Sequence, residues 1–175
     1  MSSHIFVDET KDRDYLLVAS AYVSSDIDEL RKLMRALVLR GQRRVHMKKE
    51  SEPRKRAIAA AICAAGVSAT VYDAGRGHQD ELHARRACLG ALVVDAAHLD
   101  NPLLVLEQDD SLLDWDRRQL YALTREAQVP LLRYEHRRAS VEQLLAIPDA
   151  IAWCWAKGGD WRRRIEPAVT TVKRV

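Results

Sequence analysis

Two consecutive carboxylates, Asp8 and Glu9, close the apolar run Ile5-Phe6-Val7. A buried strand that ends in charge must compensate it, because taking a carboxylate out of water costs several kcal/mol unless a cation, hydrogen bonds or a metal ion meets it. The local alternative is a strand that ends in solvent, with the two acids opening the Thr10–Asp14 turn, a position that acids favour. Further acids follow other apolar runs: Asp73 after Val67–Tyr72, and Glu107-Gln108-Asp109-Asp110 after Leu103–Leu106. Asp149 is enclosed in Leu144-Leu145-Ala146-Ile147-Pro148-Asp149-Ala150-Ile151-Ala152-Trp153, which is apolar on nearly every helical face. It escapes desolvation by entering a polar site, or it serves its own helix in the first turn behind Pro148.

Acids delivered from several strands and a helix to one place would repel one another, and a divalent cation with oxygen ligands resolves that conflict. Mg²⁺ and Mn²⁺ take such ligation. Two ions about 3.5 to 4 Å apart can activate water and stabilise the leaving oxygen of a phosphodiester. No serine, cysteine or glycine-rich loop is required for that chemistry, and the sequence contains no Gly-x-Ser-x-Gly, Walker A or Gly-x-Gly-x-x-Gly pattern.

Other chemistry-bearing residues have plainer readings beside the functional ones. His46 titrates near neutrality and is a candidate proton shuttle, phosphate contact or ligand, although a lone His beside Lys48 is commonly a surface residue. Tyr134-Glu135-His136 predicts a packed tyrosine and an exposed histidine. The group Asp109, Asp110, Asp114 and Asp116 lacks the glycine and terminal glutamate of a calcium loop and reads as helix capping around Ser111. Trp153 is expected in the core, while Trp155 and Trp161, followed by Arg162-Arg163-Arg164, could stack on bases and grip phosphates. Bases recur in tight groups, among them Arg43-Arg44, Lys48-Lys49, Arg54-Lys55-Arg56, Arg85-Arg86 and Arg137-Arg138, against a formal net charge of only +3. Each group alone reads as a solvated helix face; together they can form a local positive surface for phosphate.

The elements that must position these residues follow from periodicity. Ile5–Val7 and Tyr15–Val23, joined by the polar turn Lys11–Asp14, predict a β-hairpin. Leu30, Leu33, Met34, Leu37 and Val38 predict a helix over 27–40 that stops at Gly41, and Ser51 with Pro53 announces a second helix running to Gly66. Then come a strand over 67–72, a helix over 80–99, a strand at 103–106 covered on both faces, a helix over 111–127, a short strand at 131–134 and a helix over 141–157 ending at Gly158-Gly159. Residues 169–175 could add an edge strand. The order implies an α/β fold, a mixed sheet with helices on both faces and parallel strands in its second part.

With 175 residues and 47% hydrophobic content, the chain is expected to form one domain over 1–175. It has no apolar run of membrane-spanning length and no basic-then-apolar leader, so a cytoplasmic protein without membrane association is expected. Cys63, Cys88 and Cys154 lie far apart in apolar helical patterns and read as core thiols rather than a disulfide framework or metal knuckle.

Three segments carry a resemblance. Phe6-Val7-Asp8-Glu9-Thr10 with the Tyr15–Val23 strand, His46-x-Lys48-x-Glu50-Ser51, and Ile147-Pro148-Asp149-Ala150-Ile151-Ala152 resemble the ribonuclease H-like bacterial proteins of unassigned function, particularly their actinobacterial branch. In that family the first strand reads Ile-Asp-Glu-Ser and the late helix carries Ala-Asp-x-x-Ala. Thr10 departs from the Ser, Pro148 from the Ala, and a helix follows the hairpin where the ribonuclease H fold proper has its third antiparallel strand. The resemblance implies a ribonuclease H-like fold, Asp8 and Asp149 as ligands of Mg²⁺ or Mn²⁺, a further acid from Glu50 or a neighbour, and either Glu107 or Asp73 completing the set. Glu107 is preferred as the third ligand, because it follows the more fully buried run and is backed by Gln108 and Asp109. The expected activity is hydrolysis of phosphodiester bonds in RNA or DNA, with Asp8, Glu50, Glu107, Asp149 and His46 as catalytic candidates and Glu9, Asp73, Lys48 and Asp109 as secondary ones. Two other readings stand beside it: a non-catalytic binding or regulatory module that keeps the fold, and an unrelated acid-clustered nuclease of the kind found in toxin and antitoxin systems, which strand order would distinguish.

Overall fold

The computed structural model describes residues 1–175 and contains one six-stranded sheet. β1 (Ser3–Thr10) and β2 (Tyr15–Val23) form the expected hairpin, paired antiparallel from Ser3 opposite Val23 to Thr10 opposite Leu16. β3 (Ala69–Gly75) joins β2 antiparallel, β4 (Leu103–Glu107) lies parallel to β1, β5 (Arg133–Arg137) lies parallel to β4, and β6 (Val169–Arg174) closes the far edge parallel to β3. The order is β5-β4-β1-β2-β3-β6.

Both faces are covered, as the uninterrupted apolar run of β4 requires. Leu104, Val105 and Leu106 are all buried. Side chains alternate across the sheet, so Phe6, Leu16, Val18, Val71 and Val105 enter one core, while Ile5, Val7, Leu17, Tyr72, Leu104 and Leu106 enter the other. The first core is roofed by α1 (Ile27–Ala36), α2 (Glu52–Ala64), α5 (Ala146–Lys157) and α6 (Gly159–Ile165). The second is roofed by α3 (Glu81–Ala96) and α4 (Leu113–Glu126). None of these helices is long and apolar enough to cross a membrane. All three cysteines are free, with Cys88 and Cys154 buried.

Four expectations need correction. The strand after Gly66 is antiparallel to β2: β3 supplies the third antiparallel strand only after two helices, so the parallel pairs fall into two groups, β1, β4 and β5 on one side of β2 and β3 with β6 on the other. α1 ends at Ala36 rather than 40, because the Leu37 and Val38 amides bond three residues back and tighten the chain into a turn. The fifth strand starts at Arg133, not at Leu131, whose side chain stands 91% exposed beyond the sheet. The late helix divides into a 3₁₀ turn at Gln143–Leu145 and α5, and α6 follows after Gly158, whose φ of 73° reverses the chain in a way that L side chains resist.

The two-sided core makes a sharp stability contrast. Phe6→Ala should cost about 3–5 kcal/mol in urea unfolding, because the ring is fully buried, while Leu131→Ala should stay within roughly 0.5 kcal/mol.

Candidate functional site

Strand alternation carries Asp8 to the same face as Phe6, and the parallel register that sets Val7 beside Leu106 brings the next residue, Glu107, next to Asp8 on that face. α5 crosses the same face and presents Asp149 from its first turn. The helix start has no side-chain cap from Asp149; its carboxylate instead accepts a hydrogen bond from the Met47 amide at 2.9 Å, tying α5 to the segment between α1 and α2. Asp8, Glu107 and Asp149 therefore meet at the carboxyl ends of parallel strands, where open α/β sheets place their sites. They line a cleft of about 560 Å³ together with Glu9, Arg44, His46, Gln108, Asp109 and Asp110, and no hydrophobic residue lines it.

The charges are poorly compensated. Burial lifts the Asp8 carboxyl well above the usual range, the charges of Glu107, Asp149 and Glu9 lift it further, and a 2.8 Å hydrogen bond from the Glu9 amide opposes only part of this. Asp149 is also raised, by burial first and by Glu50, against the Met47 amide and the charge of Arg44. Arg44 is the cation of the cleft, 3.7 Å from Glu107. Burial, with Arg44 and Lys49 nearby, lowers His46 below its ordinary value despite Glu107, which favours the neutral imidazole. No three or more His, Cys, Asp or Glu side chains are drawn tightly enough to enclose an ion. The donor set nevertheless suits a hard divalent cation: three carboxylates line one cleft, two of them, Asp8 and Asp149, with raised proton affinity, and the Asp8 carboxyl meets one amide donor and no positive side chain.

The other candidates divide. Asp109 lines the cleft rim and holds the turn before α4, accepting from the Ser111 amide at 2.9 Å and its hydroxyl at 2.6 Å, but no side chain caps that helix, contrary to the capping expected there. Glu50 does not line the cleft. Burial pushes its carboxyl up, but bonds from Arg54 at 2.9 Å, Gln42 and the His46 amide outweigh this and hold it below the usual range. It clasps the chain leading to α2 instead. Lys48 is exposed and outside the cleft. Asp73 lies two strands away, where it accepts from the Gly75 amide at 2.8 Å. The tryptophans are not free stacking platforms: Trp153 meets Trp161 edge-on with Lys55 over its ring at 4.4 Å, and Arg162 covers Trp155 at 4.8 Å.

On the opposite face of the sheet lies an ion network that sequence reading missed. Glu9, pointing away from Asp8, meets Arg85 of α3 at 2.9 Å. Arg85 grips Asp116 of α4 with two 2.7 Å bonds and donates to the Tyr15 hydroxyl at 3.1 Å. His136 Nε2 lies 3.0 Å from the same Asp116. Arg85, Asp116 and the His136 side chain are all buried, so Arg85 is no solvated helix residue, Asp116 is no cap and His136 is not exposed. Burial would raise Asp116, but Arg85 and His136 outweigh it and hold it low. A usable signal was present: Arg85 continues the buried stripe Cys88, Leu89, Leu92, Val93 and Ala96, and His136 alternates with Leu132 and Tyr134.

No family model matches the sequence, and no curated protein matches it. The fold is similar to that of an RNase HII solved in complex with PCNA from Archaeoglobus fulgidus, with a TM-score of 0.53 at 18% identity, over 87% of this chain and 70% of that one. The architecture is thus ribonuclease H-like: a mixed sheet with an antiparallel hairpin beside parallel strands and helices on both faces.

The two faces predict opposite responses. Arg85→Met should destabilise by about 3–5 kcal/mol, since Asp116 would remain buried with only His136 beside it and Glu9 would lose its cation, and Asp116→Asn added to it should recover part of the loss. Asp8→Asn should stabilise the metal-free protein at neutral pH by on the order of 1–2 kcal/mol. Because the folded-state pKa of Asp8 is raised, the gain should be largest above that pKa and fade as pH falls toward the ordinary carboxylate value, where wild type is protonated too. Melting curves across pH check the sign, and a less stable Asp8→Asn variant at pH 7 would contradict it.

Proposed function

We propose that the protein is a divalent-metal-dependent nuclease that hydrolyses phosphodiester bonds in RNA or DNA. The observation that carries this reading is the trio Asp8, Glu107 and Asp149, contributed by two adjacent strands and a helix to a cleft without apolar lining. A binding surface for a neutral or anionic ligand has no use for three carboxylates in one cleft, with the charges of Glu107 and Asp149 bearing on Asp8, whereas Mg²⁺ or Mn²⁺ relieves them. Asp8, Glu107 and Asp149 would hold the metal. When bound, it supplies Lewis-acid stabilisation of phosphoryl oxygens and a more acidic water.

The chain's own groups do the rest. The Met47 amide fixes the Asp149 carboxylate, and the Glu9 amide fixes that of Asp8, so neither must be ordered on substrate arrival. Arg44, beside Glu107, is placed to meet the negative charge of a phosphate entering the cleft. His46, favouring its neutral form, can take up a proton on a ring nitrogen at the cleft wall. Glu50 acts through position, holding the segment that carries Arg44, His46 and Met47 against Arg54.

The test pairs binding with turnover. Millimolar Mn²⁺ should raise the melting temperature of wild type but not of Asp8→Asn, as expected of a ligand that binds only the folded state. In the same buffer, labelled RNA, DNA and hybrid substrates should be cut by wild type and at least about 100-fold more slowly by Asp8→Asn. Absence of both the shift and cleavage would leave a non-catalytic binding module as the reading. His46→Asn should lower turnover by about 10²-fold or more while leaving the Mn²⁺ shift intact.

A further inference from the structure

The segment Arg40–Lys49, which joins α1 to α2, is a fixed strap beside the acidic cleft. Val45 and Met47 are fully buried, the Met47 amide is bonded to Asp149, and the Gln143 side-chain amide donates to the Arg43 carbonyl at 3.3 Å. Gln42 accepts from the Leu39 amide at 3.1 Å and reaches Glu50 with its own amide. With Val45 and Met47 turned inward, Arg44 and His46, which alternate with them, form one wall of the cleft.

The strap's remaining cations are exposed: Arg40 and Arg43 precede that wall in the chain, Lys48 and Lys49 follow it, and the charges of Lys48 and Lys49 bear on His46. None of the four makes an ion pair, whereas four of the six cations on the flanking helices do: Arg31 with Glu142, Lys32 with Glu29, Arg54 with Glu50, and Arg56 with Glu52. Unpaired positive charge therefore collects at the rim of a negative cleft. A simple anion could meet the strap but would have no reason to approach the carboxylates, and an acyl chain finds no apolar surface in the cleft. A linear polyanion, with a phosphate every 3.4 Å or so along each strand, meets both requirements: its charges span the strap while one linkage lies against the metal-binding acids. We propose that the Arg40–Lys49 strap grips the sugar-phosphate backbone of a nucleic acid strand, with Arg43, which precedes the cleft wall in the chain, and Lys48 and Lys49, which follow it, as phosphate contacts. The proposal rests on the nuclease reading and extends it to a substrate-binding surface.

Binding of a short fluorescein-labelled duplex and of its single strand is measured by anisotropy in EDTA, which prevents metal-dependent cleavage, over a salt series. The variant R43E/K48E/K49E is compared with R117E/R118E/R125E on α4, which makes the same change in net charge on the opposite face. The strap variant should bind at least about tenfold more weakly at low salt, with a log–log salt slope shallower by roughly 2–3, whereas the α4 variant should bind as wild type does. Equal losses in both variants, or wild-type binding by the strap variant, would overturn the assignment. R43Q/K48Q/K49Q should show a smaller loss in the same direction and serves if the charge-reversed chain does not fold. Wild type that cuts nucleic acid in Mn²⁺ while the strap variant cuts with unchanged KM would sink the strap and leave the nuclease reading standing; wild type that neither binds nor cuts would remove both.

Discussion

The parallel pairing of β1 with β4 is the constraint from which the rest of the site descends. In that register Val7 lies beside Leu106, and the residues that follow them, Asp8 and Glu107, are forced together on one face with no freedom to separate. Two apolar runs buried on both sides hold the strands in place, so the cost of bringing two carboxylates together is met by burial elsewhere in the sheet rather than at the site. α5 then needs only its first turn to deliver Asp149, and the Met47 amide holds that carboxylate in place.

The sheet handles charge in opposite ways on its two faces. Beneath Glu9, the ions of Arg85, Asp116 and Glu9 are closed into a buried network with Tyr15 and His136, where each charge has a geometric partner. Above, Asp8 and Asp149 are left short of positive charge, and their proton affinity rises. A chain selected for stability alone would not assemble acids this way; strain of that kind is expected where a ligand is to be bound. Adjacent residues of one strand, Asp8 and Glu9, thus serve unlike purposes because successive side chains leave a strand on opposite sides.

The strap between α1 and α2 gives the cleft its third wall and most of its nearby positive charge. It contains little regular structure, yet it is held by two buried side chains and by hydrogen bonds to Asp149, Gln143 and Glu50. Rigid scaffolding of an irregular segment is a common way to place functional groups where neither a helix nor a strand could present them. Glu50 is informative here: a carboxylate with three donors around it stabilises the strap and has no charge to spare for a metal.

The sequence by itself determined the hairpin, the alternation of helices and strands, the fully buried fourth strand and the acids that end the apolar runs, because these depend on periodicity and on residues next to one another in the chain. It also singled out Asp149, since a carboxylate in so apolar a helix has few tolerable environments. What only the tertiary structure decided were relations between distant segments. Whether Glu107 or Asp73 stands beside Asp8 depends on which strand pairs with β1, and backbone pairing leaves no mark on local composition. The antiparallel placing of β3 after two helices was hidden for the same reason. Glu50 and Arg85 both departed from their expected roles because a charge's meaning depends on its partner: Glu50 met Arg54 outside the cleft, while Arg85, read as solvated, met Asp116 and Glu9 in the interior.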